Sequence, residues 1–141
     1  MKRCKRSMFT LVEILVVLAI IGLAAGLVLP NVIGHLQGAN RKAAKAQIKI
    51  IDDSVITYYL DMKAYPSSLD DLVKNPGSSA KWGGPYMKNG VVPKDPWGNE
   101  YHFDIPGQEN RNYDIYSYAG DNSSGGTGAD ADVGSWYQED E

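Results

Sequence analysis

Three aspartates near the C-terminus lie in a stretch with almost no apolar anchor. Asp121, Asp130 and Asp132 belong to residues 119–132, which are otherwise mainly Gly, Ser and Ala. A long segment of this composition stays disordered unless something ties it down. Ca²⁺ is a hard cation that takes about six to eight oxygens, mixing carboxylates with carbonyls of flexible loops. The pattern therefore predicts a calcium site bracketed by Asp121 and Asp132, followed by an exit strand anchored by Trp136.

The spacing from Asp121 to Asp132 superficially matches an EF-hand loop. However, the last acidic residue is Asp rather than Glu, the fifth position is Gly125, and no flanking helices are predicted. We therefore exclude an EF-hand.

Glu13 is a carboxylate near the start of a long apolar run. No residue from Ile14 to Gly34 is charged, and a basic cluster precedes the run: Lys2, Arg3, Lys5 and Arg6. A helix of roughly 20 residues starting at Phe9 would reach ~30 Å, the thickness of a bilayer core. An ionisable group at that depth is costly and points to a function.

A cleaved secretory signal peptide and a plain signal anchor are the alternatives for this segment. The run is too long for a signal-peptide core, contains Glu13, and has only Ala24 and Ala25 as a weak cleavage site. A plain anchor leaves Glu13 unexplained. The basic residues in front favour a cytoplasmic N-terminus and an exported C-terminal part.

Composition argues against enzymatic and nucleic-acid-binding functions. Four of the 14 cationic residues lie in residues 1–8, so the rest carries 10 against 17 acidic residues, a net charge of −7. Cys4 is the sole cysteine, so residues 9–141 offer no thiol or disulfide. No Ser-His-Asp grouping or phosphate loop is evident. His102 and Asp104 share one face of a predicted strand, and polar side chains are expected on a face that is exposed to solvent.

The elements that position these residues begin with one helix from about Phe9 to Lys63, which is membrane-embedded first and amphipathic afterwards. Pro30 is predicted to kink or locally melt it near Gly26 to Leu29. His35 is taken as a surface residue. Apolar residues recurring every three or four positions predict the packed face: Leu36, Ala39, Ala43, Ala46, Ile50, Ile51, Val55, Tyr58, Tyr59 and Met62. The basic residues around it predict a solvated face: Arg41, Lys42, Lys45 and Lys49.

The remainder predicts a small α+β region. A short capped helix is expected at 67–73, and antiparallel strands at 101–105 and 113–118. The aromatic residues Trp82, Tyr86 and Trp97 should anchor the long connection between them. The predicted fold is therefore a long α-helix, half of it transmembrane, packed on a small antiparallel sheet with a metal-binding loop. Its segments are 1–8, a basic leader; 9–34, the membrane and assembly half of the helix; 35–64, the amphipathic half; and 65–141, the globular region.

Several motifs together carry a family resemblance. The run Lys5-Arg6-Ser7-Met8-Phe9-Thr10-Leu11-Val12-Glu13 resembles the class III leader of type IV pilins and type II secretion pseudopilins. Tyr65-Pro66, the run Asp95-Pro96-Trp97-Gly98, and Asp130-Ala131-Asp132-Val133-Gly134-Ser135-Trp136 resemble major pseudopilins of type II secretion, in order and spacing. The resemblance covers residues 9 to about 136.

The resemblance implies cleavage between Met8 and Phe9 and N-methylation of Phe9, although Met8 stands where the family has Gly. Glu13 would be the fifth residue after the cut, and Pro30 would match a Pro that commonly kinks the helix. The implied calcium ligands are the side chains at Asp121 and Asp132 and the backbone carbonyl of Tyr118. Asp130 stays open as a substitute ligand or a solubilising residue.

The implied function is a structural subunit of the pseudopilus, a helical homopolymer that helps drive folded proteins across the outer membrane. The implied location is the bacterial inner membrane, crossed once, with the globular region in the periplasm. Implied partners are further copies of the chain, minor pseudopilins, the prepilin peptidase that methylates the new N-terminus, and the inner-membrane assembly platform. The alternatives are a type IV or competence pilin, a minor pseudopilin, or a membrane-anchored calcium-binding or enzymatic domain that never polymerises.

Overall fold

A computed structural model describes residues 9–136 of the 141-residue chain, with residues 26–35 described by their backbone alone. Within that range the chain forms a helix α1 (Leu11–Met62) and three strands: β1 (His102–Asp104), β2 (Asp114–Ser117) and β3 (Val133–Gly134). The predicted α+β class, with a long N-terminal helix and a small antiparallel sheet, is confirmed.

The chain divides into two compact units, one ending at Leu36 and the other beginning at Gln37. In the first unit, α1 begins at Leu11 and its apolar side chains up to Leu23 are exposed. The helix is continuous through Pro30, so of the kink or local melting predicted near Gly26 to Leu29, the melting is wrong. Proline removes only one backbone donor, and the neighbouring hydrogen bonds suffice to keep the segment helical. Where side chains are described, residues 9–25 and 36–136, no helix is long and apolar enough to cross a membrane.

In the second unit, α1 buries one apolar stripe in the core. The first half of the predicted stripe is wrong, because its five residues are exposed: Leu36, Ala39, Ala43, Ala46 and Ile50. The buried residues are instead Ala44, Ile48, Ile51, Val55 and Tyr58. Both sets repeat every three or four residues. Since each residue turns the helix by about 100°, a shift of one or two positions selects another face.

The second half of the predicted stripe, from Ile51 to Met62, agrees with the structure at all but one position. Ile51, Val55 and Tyr58 are buried and Met62 is partly buried, whereas Tyr59 is exposed. The rest of the core comes from later in the chain, namely Leu69, Leu72, Met87, Tyr101, Ile115 and Val133. One core therefore joins α1, the long connection and the sheet.

The sheet has the order β1-β2-β3 and both pairings are antiparallel. Phe103 pairs with Ile115, which confirms the predicted hairpin, although each strand is shorter than predicted. Ser117 pairs with Val133, which places the predicted exit strand next to β2.

The connection from α1 to β1 contains the predicted short helix, and two of the predicted aromatic residues anchor it through hydrogen bonds. The short helix is a 3₁₀ turn, Leu69–Leu72, where the Asp71 carboxylate accepts hydrogen bonds from the amides of Ser67 at 2.8 Å and Ser68 at 3.4 Å. The Trp82 indole donates to the Asp71 carbonyl at 3.0 Å, and the Tyr86 hydroxyl donates to Asp61 at 2.9 Å.

Candidate metal-binding loop and assembly helix

The loop at 118–132 begins and ends at adjacent positions of the sheet. Its flanking residues, Ser117 and Val133, are register partners across β2 and β3. Two 3₁₀ turns inside the loop, Ala119–Asp121 and Gly128–Asp130, contact each other. The fold therefore brings the two ends of the predicted calcium loop together, with an acidic residue closing each turn.

Asp132 has the most informative environment of the predicted ligands. Its amide donates to the Gly125 carbonyl at 3.2 Å, and its Oδ2 accepts from the Gly125 amide at 2.9 Å. Its other carboxylate oxygen, Oδ1, is buried and has no hydrogen-bond partner. Burying an unsatisfied carboxylate oxygen is costly, and a cation would remove that cost. The donor set here fits a hard metal ion such as Ca²⁺.

The other predicted ligands lie around the two turns. Asp121 is exposed, and its Oδ1 accepts a 3.2 Å hydrogen bond from the Ser123 amide. The Asp130 carboxylate lies over Gly120, 3.5 Å from where a Cβ would stand. Tyr118 directly precedes the first turn. Among residues 9–25 and 36–136, no three His, Cys, Asp or Glu side chains are grouped to hold a metal. Backbone carbonyls would therefore have to complete the coordination, as the predicted ligand set requires.

The Asp95-Pro96-Trp97-Gly98 turn supports the start of this loop. The buried Asp95 carboxylate accepts hydrogen bonds from the amides of Trp97 at 3.0 Å and Asn99 at 2.8 Å, and from the Ser117 hydroxyl at 2.5 Å. The Asn99 side chain donates to the Ala119 carbonyl at 3.1 Å. The hydrogen bonds of this turn therefore also reach the end of β2 and the first loop residues.

Arg41 of α1 supports the other end of the loop. It is partly buried, and its guanidinium donates a hydrogen bond to the backbone carbonyl of Ala131. The predicted solvated face is therefore wrong for Arg41, while Lys42 and Lys49 are exposed as predicted. The contact joins residues 90 positions apart, so no local pattern in the sequence could have indicated it.

Two tyrosines connect α1 to the sheet region through polar groups. The Tyr101 hydroxyl donates to Gln47 Oε1 at 2.5 Å, and the Tyr113 hydroxyl donates to Asp52 Oδ1 at 2.6 Å. Burial raises the pKa of both phenols, and the Asp52 carboxylate raises that of Tyr113 further. Both hydroxyls are protonated donors at neutral pH, and the raised pKa values extend that protonation further into the alkaline range.

An ion pair between the partly exposed Arg111 and the buried Asp114 closes the turn before β2. Arg111 Nε donates to Asp114 Oδ1 at 2.5 Å, and the Gln108 amide donates to Oδ2 at 2.7 Å. Burial alone would raise the pKa of Asp114, but the hydrogen bonds from Arg111 and Gln108 outweigh it and lower that pKa. Asp114 is therefore a carboxylate at neutral pH. Elsewhere on the sheet, His102 stacks on Tyr116, whose hydroxyl donates to Asp104 at 2.9 Å. These contacts agree with the prediction that His102 and Asp104 are polar side chains on one face of the strand.

The predicted assembly and processing residues lie at the start of α1. The Glu13 amide donates to the Thr10 hydroxyl at 3.3 Å, and Glu13 lies in the first turn, where the helix dipole favours a negative charge. Phe9 is exposed and Pro30 is within α1. Met8 and the rest of the predicted leader lie outside the described residues.

Comparisons with known proteins agree with this architecture. The chain matches the family described as "Type II secretion system (T2SS), protein G" over residues 31–136. It is 41% identical to the type II secretion system core protein G of Pseudomonas aeruginosa over 143 residues, covering 96% of this chain and 99% of the relative. It is 35% identical to that of Vibrio cholerae over 146 residues, covering 99% and 97%.

A solved structure supports the same assignment. The crystal structure of the major pseudopilin from the type 2 secretion system of enterohaemorrhagic Escherichia coli superposes with a TM-score of 0.60 and 27% sequence identity. The match covers 73% of this chain and 87% of that one. With a family match over most of its length and relatives aligned nearly end to end, the chain belongs to the protein G family of the type II secretion system.

Proposed function

We propose that this chain is the structural subunit of the type II secretion pseudopilus and polymerises through the N-terminal half of α1. The observation that carries the proposal is the exposed apolar surface of α1 from Leu11 to Leu23, continued by a folded second unit with its own core. An apolar surface of this length requires lipid or other helices around it. The names of its relatives, core protein G and major pseudopilin, support the same role.

A single membrane crossing supplies the first of those environments. The uncharged run continues in sequence from Ile14 through Gly34, and the basic residues precede it. These features support an inner-membrane subunit with a cytoplasmic N-terminus and a periplasmic globular region before assembly. Partners at this stage would be the prepilin peptidase and the assembly platform, followed by further copies and minor pseudopilins in the filament.

Processing and assembly would use Phe9 and Glu13. Cleavage between Met8 and Phe9 would leave a cationic amine, which is then methylated. In a helical core of low dielectric constant, opposite charges attract strongly and a lone charge is costly. The amine of one subunit would therefore pair with Glu13 of its neighbour or of its own chain and set the axial register.

Pro30 would ease repacking of α1 during entry into the filament. The helix is continuous through Pro30 in the isolated chain. The proline has no amide donor, so unwinding that segment breaks fewer hydrogen bonds. A filament density map should show an extended or irregular backbone between Gly22 and Pro30.

Calcium would hold the C-terminal loop. The Oδ1 atom of Asp132, which has no hydrogen-bond partner, supports the site. Asp121 and the Tyr118 carbonyl are the other proposed ligands, with Asp130 as the alternative. The ion would cross-link the two ends of a loop that has no disulfide, and the proposed role needs no catalytic residue.

Complementation tests the function directly. A type II secretion strain that lacks its own protein G should regain export of folded substrates when it expresses the full chain. Overproduction should give filaments that contain the chain. Membrane-associated protein that is cut before Phe9 but forms no filament and restores no export would reject the proposal in favour of a non-polymerising anchored domain. The alternatives of a type IV or competence pilin and of a minor pseudopilin receive no support from the named relatives.

A further inference from the structure

We propose that Arg41 is a positioning residue for the calcium loop, holding Asp132 in the conformation that binds the ion. The inference rests on the calcium site proposed above, but concerns a residue of α1 that is not itself a ligand. The Arg41 contact makes the affinity of the loop for calcium depend on α1, and it makes part of α1 respond to the ion.

The position of Ala131 is the first observation. Its carbonyl accepts the hydrogen bond from the Arg41 guanidinium, and it lies between the two aspartates Asp130 and Asp132. The bond therefore limits rotation of the backbone from which both carboxylates extend. The guanidinium is planar, and it extends from a helix that packs one face in the core. It therefore supports the Ala131 carbonyl more rigidly than a contact from within the loop would.

The second observation is that contacts fix the amide, the Oδ2 atom and both neighbouring residues of Asp132, whereas its Oδ1 atom has no partner. Gly125 contacts its amide and its Oδ2, and β3 begins at the next residue, Val133. Arg41 holds the preceding residue through the Ala131 carbonyl. These constraints leave Oδ1 buried without a hydrogen-bond partner. Loss of the Arg41 contact would let the backbone turn and Oδ1 reach water or an amide, which would compete with the ion.

Electrostatics predicts the opposite result, and this makes the inference testable. A cationic guanidinium near a divalent ion repels it, so its removal should strengthen calcium binding if charge alone matters. If Arg41 acts by positioning, its removal should weaken binding, as for other groups that orient metal ligands, by about tenfold or more.

The coupling must also act in the reverse direction. If the Arg41 contact favours the loop conformation that binds the ion, then the ion favours the Arg41 contact by the same factor. Calcium should therefore slow hydrogen exchange of the α1 amides around Arg41, about residues 37–44, in addition to that of the Gly125 amide.

The experiment is calorimetric calcium titration of the full chain in detergent micelles, as wild type, Arg41→Ala, Arg41→Gln and Arg41→Lys. Lys42→Ala is the matched control, because it removes the same charge from an exposed neighbour. The Kd should rise about tenfold in Arg41→Ala, rise less in Arg41→Lys, and stay within about twofold in Lys42→Ala. If Arg41→Ala does not fold, the calcium Kd values of Arg41→Gln and Arg41→Lys test the positioning role.

Hydrogen exchange with and without calcium is the second measurement. Calcium should slow exchange at residues 37–44 in the wild type but not in Arg41→Ala, whereas the Gly125 amide should be slowed in both. An unchanged or lower Kd in the Arg41 variants, with normal binding by the wild type, overturns the positioning role alone. A wild type that binds no calcium up to ~10 mM rejects the site itself, and this inference with it, while leaving the filament role intact.

Discussion

The hydroxyl of Tyr113 donates a 2.6 Å hydrogen bond to Asp52 Oδ1, joining the residue before β2 to a helix residue 61 positions earlier. Tyr113 also contacts Tyr65 and Phe103 with its ring, at centroid distances of 5.1 and 5.6 Å. One side chain thus connects α1, the chain after the helix, and β1. The hydrogen bond is polar and the ring contacts are apolar, so the two contributions can be separated by mutation.

Tyr113→Phe should lower the free energy of unfolding by about 1 kcal/mol. The ring contacts remain and one hydrogen bond to a carboxylate is lost, but Asp52 is partly exposed and can be solvated again. Urea unfolding of the full chain in detergent measures the change, with Tyr59→Phe as the exposed control. Because burial raises the pKa of the Tyr113 phenol, stability should fall as pH rises above about 10, and by less in Tyr113→Phe. Equal alkaline loss in both proteins would contradict this assignment.

Asp114→Asn should reduce the stability of the chain near neutral pH and flatten its loss in acid. The pKa of Asp114 is lowered from 3.8 in the folded chain, so its stabilisation is complete above that value and disappears as pH falls below it. Unfolding measured from pH 7 to pH 2 checks the slope. Glu109→Gln, which changes the exposed partner of Arg111, is the control and should keep the acid slope of the wild type.

Glu13→Leu should leave membrane insertion intact or improved and sharply reduce filament formation. Leucine removes the cost of burying a carboxylate in lipid, but it also leaves the Phe9 amine without a partner in the filament core. Membrane fractionation and filament imaging measure the two effects, and Glu100→Leu is a control in the globular region. Filaments of normal number and length from Glu13→Leu would exclude the pairing.

Calcium at about 5 mM should stabilise the chain by about 1–2 kcal/mol, because extracellular-type sites bind with Kd values around 10⁻⁴ to 10⁻³ M. The melting temperature should therefore rise by several degrees and fall again with a chelator. Asp121→Ala or Asp132→Ala should abolish the shift. Asp130→Ala decides whether the alternative ligand contributes, and Asp70→Ala is a control for charge. Melting curves that coincide with and without calcium would remove the site.

The local pattern of the sequence was sufficient to predict the elements that depend on near neighbours. The helix predicted from about Phe9 to Lys63 lies within about two residues of the bounds of α1 at each end. Alternating residues located β1 and β2, and the acidic loop with its closing aspartates was evident from composition. In each case the determining interaction is between residues close in the chain, so the signal is contained in a short window.

Only the tertiary structure decided which of two helical stripes enters the core. Ala43 and Ala44 satisfy the same periodicity, yet Ala44 is fully buried and Ala43 is exposed. The choice depends on where Ile115 and Val133 lie, and these residues follow α1 by more than 50 positions. The bond from Arg41 to Ala131 and the unpartnered Oδ1 of Asp132 are equally non-local. Contacts of this kind are set by how the elements pack together, which local residue pattern does not encode.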